Sequence, residues 1–163
     1  MRSYGVRVAL AVALMLAAPV LARAAPPEGL FKRVDELVRW IAAHSGYPAE
    51  LQRLPRVVFL SPDAIRHGFS RASMGYSDDT SSVRAAQTGG TIYLPSTFTL
   101  GRDDYILLHE LVHHLQDESG KPFECLAARE REAYALQTQF VLETGVGETP
   151  NDMFMLLLRC DIR

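Results

Sequence analysis

Apolar residues fall at Leu30, Phe31, Val34, Leu37, Val38, Trp40 and Ile41. That three-and-four spacing lays one stripe along a helix, and Gly46 and Pro48 stop it. Residues Arg56 to Ser61, RVVFLS, form a short β-branched and aromatic run that predicts a strand. Ser61-Pro62-Asp63 then offers a hydroxyl cap and a proline at the first helical position, so a brief helix should run toward His67. From Gly68 to Asp79 the chain is polar and glycine-containing, which predicts a loop. SSVRAAQ and TIYLP flank TGG, a hairpin signal. Two long helical patterns follow, one from Asp103 to Gly120 and one from Phe123 to Thr144, broken at Gly120 to Pro122. A last helix begins at an Asn151 cap, with Met153, Met155 and Leu156 to Leu158 as core. These elements predict a helix-rich α+β domain with a small, largely antiparallel sheet.

The first 24 residues stand apart. Arg2 and Arg7 precede an apolar run from Val8 to Ala22, and Ala22 and Ala24 flank Arg23. A basic region, a hydrophobic region and an Ala-x-Ala site predict a secretory signal over 1–24, leaving 25–163 as one domain. Removing Arg2, Arg7 and Arg23 lowers the 17 basic residues to 14 against 19 acidic ones, a formal charge of −5. That balance excludes electrostatic binding of nucleic acid. The mature chain should be exported and soluble, periplasmic or secreted, without membrane attachment. Its two cysteines, Cys125 and Cys160, are then expected to form a disulfide.

The chemistry concentrates in DDYILLHELVHHLQDESG, Asp103 to Gly120. His109 and His113 lie four apart, so both imidazoles share one helix face and can reach one ion. Zn2+ takes imidazole nitrogen readily, and a catalytic zinc keeps three protein ligands with one open position. Glu110 points beside such an ion, where it can act as general base on water. Leu107, Leu108, Leu111 and Leu115 give the same helix an apolar back.

A third ligand is sought in AAREREAYALQ, which holds Glu130 and Glu132. Two residues apart on a helix, they point about 200° apart, so one alone faces inward. Leu126, Ala127, Ala133, Tyr134, Phe140 and Val141 make a stripe with Glu130 in its middle, near Gln137. A lone buried glutamate is costly unless something compensates its charge. Glu130 is therefore favoured; Glu132, beside Ala128, Ala135 and Gln139, falls on the wetter face.

HELVHH followed by Glu130-x-x-Ala133 resembles the gluzincin metallopeptidases over roughly Thr91 to Phe140. The resemblance implies a minimal zincin core, a Zn2+ site of two histidines and a glutamate from the following helix, and a peptide or protein substrate. Several gluzincin families carry Asp or Asn after Glu-x-x-Ala, where this chain has Tyr134. Others place the ligand glutamate about 19 residues after the second histidine, a spacing that fits Glu132 and keeps it open. TIYLP resembles the edge strand along which zincins bind extended peptide by main-chain hydrogen bonds.

Other residues invite roles. His114 reads as a hydrogen-bonded histidine on the helix flank, and Gln116 lies on the metal face. Tyr76, His67 and Tyr134 are the candidates to stabilise an oxyanion, with none singled out. The expected function is therefore an exported zinc metallopeptidase. The alternative is a zinc-stabilised binding module that cuts nothing, for which a covered TIYLP strand and a closed metal would speak. Nothing in the sequence points to an oligomeric state.

Overall fold

A computed structural model describes residues 25–69 and 84–160. The predicted signal segment and Tyr76 lie outside the described residues. The elements run α1 (Leu30–His44), β1 (Arg56–Leu60), α2 (Pro62–Phe69), β2 (Ala86–Thr88), β3 (Thr91–Pro95), α3 (Asp104–Ser119), α4 (Leu126–Thr144) and α5 (Asp152–Leu157). The result is a helix-rich α+β fold. Local signals explain most of it. The Ser61 hydroxyl accepts from the Ala64 amide at the start of α2, and the Asn151 side chain accepts from the Phe154 amide at the start of α5. Gly89 and Gly90 adopt φ of 54° and 72°, the paired left-handed geometry that a two-residue hairpin turn requires.

The centre of the fold is α3. Leu107, Leu108, Leu111 and Leu115 on it are fully buried, and so nearly are His109, Glu110, His113 and Gln116. A helix buried all round must find partners for its polar residues inside the protein. Leu30, Val34, Leu37, Val38 and Ile41 of α1 pack into the same core, with Ile92 and Leu94 of β3 and Ala133, Leu136 and Phe140 of α4. Arg33 Nε of α1 donates to Asp104 Oδ2 at 2.7 Å, and the Gly101 amide donates to Asp104 Oδ1 at 2.8 Å. This wholly buried carboxylate is thus satisfied and fixes where α3 begins.

The sheet differs from the expected one. Its order is β1-β3-β2. The β2–β3 hairpin is antiparallel as predicted, with Gln87 opposite Ile92. β1, however, pairs with β3 in parallel, from Arg56 opposite Thr91 to Leu60 opposite Pro95. The sheet is therefore mixed. The chain leaves β1 through α2 and returns so that the second hairpin strand, and not the first, lies beside β1. β3 is consequently the central strand. The expectation that TIYLP is an edge strand is corrected: its main chain is taken up on both sides over Thr91 to Tyr93, and by β1 at Leu94 and Pro95.

After α4 the chain turns back over the molecule. Gly147 has φ of 108°, and a Cβ placed on it would lie 2.4 Å from the Tyr105 ring. Only glycine fits that approach. Cys125 and Cys160 form a disulfide that ties the start of α4 to the segment after α5. Arg131 Nη1 also donates to the Leu158 carbonyl at 3.1 Å. Among the described residues no helix is long and apolar enough to cross a membrane.

Candidate metal centre

One turn of α3 separates His109 from His113, and their Nε2 atoms lie 3.1 Å apart. α4 crosses in front and presents Glu130. Its Oε2 is 3.3 Å from His109 Nε2, and its Oε1 is 3.3 Å from His113 Nε2. Among the described residues this is a group of three side chains whose donor atoms lie within 4.8 Å of one another.

Two glutamines decide what those atoms can do. His109 Nδ1 meets Gln137 Oε1 at 3.0 Å, and Gln137 Nε2 donates to the Glu148 carbonyl at 2.9 Å. His113 Nδ1 meets Gln116 Oε1 at 2.8 Å, and Gln116 Nε2 donates to the Arg129 carbonyl at 3.1 Å. Each amide nitrogen is committed to a carbonyl, so each amide oxygen faces a ring and each Nδ1 carries a proton. Both Nε2 atoms then turn lone pairs toward each other and toward a carboxylate. Three acceptors facing one point need a positive charge among them, either a proton or a metal ion.

The donor set fits a metal ion. Tetrahedral zinc, with nitrogen and oxygen ligands at about 2.1 Å, needs donor–donor edges of about 3.4 Å. The observed separations of 3.1 and 3.3 Å are close to that. Without a metal the cluster holds a proton. Burial lowers the His113 pKa, but the hydrogen bond and charge of Glu130 outweigh it and raise the ring to about 9. Burial pushes Glu130 up, and its hydrogen bonds to both imidazoles pull it well below the usual carboxylate range.

Glu110 sits beside the cluster on α3, almost fully buried. Burial raises its pKa above the ordinary value, the charges of His109 and His113 pull it down, and Glu130 adds a smaller push upward. Tyr134 lays its ring on His109 with centroids 4.3 Å apart, and Phe154 of α5 meets Tyr134 edge-on at 5.1 Å. Burial first, then the Glu130 and Glu110 charges, raise the Tyr134 hydroxyl, so it stays protonated at neutral pH.

The other sequence candidates separate. Glu132 does not face the cluster; it accepts from Tyr47 Oη at 2.6 Å and from Gln116 Nε2 at 3.0 Å. Nor is it the solvated charge its neighbours predicted, because it is half-buried among these donors. His114 Nε2 contacts the Arg53 carbonyl at 2.9 Å and Glu118 at 3.5 Å, so the ring lies on the flank of α3. His67 lies on α2, outside the cluster. Sequence reasoning did not find the part played by Gln137. Its signal was there: one polar residue seven positions after Glu130 within the same apolar stripe. The Glu148 carbonyl left no signal, since any residue supplies one.

The fold and this centre together define a class: a small helix-rich α+β domain with a His-His-Glu cluster held between two adjacent helices. The chain belongs to the family described as Domain of unknown function (DUF6647), whose family model matches residues 26–163. No curated protein and no solved structure matches it.

Proposed function

We propose that this protein is an exported zinc-dependent metallopeptidase in which His109, His113 and Glu130 hold the ion and Glu110 is the general base. The observation that carries the reading is the set of three converging acceptors, each imidazole fixed by a glutamine, with a buried carboxylate next to them. A divalent cation held by His109, His113 and Glu130 would supply a Lewis acid for a carbonyl and a water acidic enough to react near neutral pH. Glu110, beside the cluster, would take a proton from the attacking water and return it to the leaving amine. Burial, which raises the Glu110 pKa, brings it closer to the range in which a carboxylate exchanges protons usefully. The likeness of HELVHH and the following glutamate to gluzincins supports peptide or protein as the substrate class. The basic-apolar start of the chain and the Cys125–Cys160 disulfide support a periplasmic or secreted location.

A second reading has its own observation. β3 is the central strand, paired on both sides over Thr91 to Tyr93, and both imidazoles are buried. These features favour a zinc-stabilised binding module. Two measurements separate the readings. Zinc measured by mass spectrometry should be present in the wild type and lost in His113→Ala; equal zinc in both ends the metal site. Glu110→Gln should keep zinc and lose hydrolysis of a mixed peptide library. A zinc-loaded wild type that cleaves nothing in that library establishes the binding module in its place.

A further inference from the structure

Gln116 is almost completely buried and uses every hydrogen-bonding position it has. Its Oε1 accepts from His113 Nδ1 at 2.8 Å and from Arg129 Nε at 3.1 Å. Its Nε2 donates to the Arg129 carbonyl at 3.1 Å and to Glu132 Oε2 at 3.0 Å. An amide offers two acceptor and two donor positions, so none is left over. Turning the amide over would set its NH2 against a guanidinium and its oxygen against a carboxylate and a carbonyl. The orientation is therefore fixed from the α4 side. Glu132 is itself held there, by the Tyr47 hydroxyl at 2.6 Å and the Lys121 ammonium at 2.5 Å.

We propose that Glu132 is a positioning residue: together with the Arg129 carbonyl it holds the Gln116 amide so that the amide oxygen takes the His113 Nδ1 proton and Nε2 faces the cluster, and it thereby tunes the affinity of that cluster for a divalent cation. The first half concerns the metal-free protein; the second rests on the metal reading above. Glu132 thus acts on the site from the place where the alternative ligand was expected, one shell further out than a ligand. The carbon–oxygen acceptor matters here and not the negative charge as such. Glutamine at position 132 can still accept from Gln116 Nε2, whereas leucine cannot.

The test compares wild type, Glu132→Gln and Glu132→Leu. In metal-free protein, NMR should show a His113 Nδ1–H protected from solvent exchange in wild type and Glu132→Gln, with clearly faster exchange in Glu132→Leu. Zinc affinity, from competition with a chelating dye, should fall roughly 10-fold or more in Glu132→Leu and stay within about 3-fold in Glu132→Gln. If Glu132 merely pairs with Lys121, both variants lose the ion pair and behave alike. Equal loss in the two, or unchanged protection in Glu132→Leu, overturns the proposal. Protection that depends on Glu132 in a protein that binds no zinc removes the metal reading and the affinity half with it, and leaves the positioning of the ring. Thermal melts of the two variants give the control for folding, since Glu132 is only half-buried.

Discussion

In a chelator, with no metal bound, the protein should lose stability as the pH rises from about 6.5 to about 9, and Glu130 should be the main reason. The His113 ring is buried 3.3 Å from a Glu130 oxygen. Burial alone would lower its pKa, but Glu130 first, then the Glu110 charge and the Gln116 hydrogen bond, raise it from 6.5 to about 9. A basic group whose folded pKa lies above its unfolded one binds its proton more tightly in the native state. The stability this contributes is complete below about pH 6.5 and fades as the pH passes through 9. A rise of about 2.5 pH units corresponds to about 3 kcal/mol. The downward shift of Glu130 belongs to the same pair and is not added; its side of the contribution holds above the ordinary carboxylate range and disappears in acid. Urea unfolding in a chelator at about pH 6.5 and about pH 10 measures the loss. Glu130→Gln keeps the shape and removes the charge, so this variant should lose clearly less stability than the wild type across the interval. Zinc should flatten the wild-type dependence, because a cation then stands where the proton stood. Parallel losses in wild type and Glu130→Gln would refute the coupling of His113 to Glu130.

Two further perturbations test the segment after α4. Gly147→Ala places a Cβ 2.4 Å from the Tyr105 ring at a φ of 108°, so it should cost about 2 kcal/mol or more; Gly46→Ala, with nothing within 4 Å, should leave the thermal midpoint nearly unchanged. Replacing both Cys125 and Cys160 by serine opens a crosslink spanning 35 residues, which should cost about 4 kcal/mol on the chain-entropy model, read as a lower urea midpoint in nonreducing buffer.

Much of this architecture was legible where a residue acts on its own neighbourhood. The spacing along α1 and α3, the Ser61 and Asn151 caps and the paired glycines of the hairpin each act within a few residues, and each produces the element it predicts. The same holds for the meeting of His109, His113 and Glu130. Helix periodicity puts two of them on one face, and an apolar stripe around Glu130 turns the third inward. What could not be read depends on partners distant in sequence. Ile92 and Leu94 alternate whether β3 is central or at an edge, so nothing in TIYLP tells that Arg56 to Leu60 returns beside it in parallel. Glu132 looked wet because its helical neighbours are small and polar; its cover comes from Tyr47, 85 residues away. Gln116 was placed on the correct face, but its four partners arrive from both helices and from the main chain.

The bond from Gln137 to the Glu148 carbonyl has a bearing on timing. A ribosome releases His109, Glu110 and His113 well before Glu148, and Cys160 later still. Until those last stretches have folded back, the amide that aims the first imidazole has no anchor of its own. On the proposed reading, ion capture is a late event in the life of each molecule, following export and oxidation. On that same reading the receptacle is built first and filled afterwards, unlike a zinc finger, whose metal drives its folding.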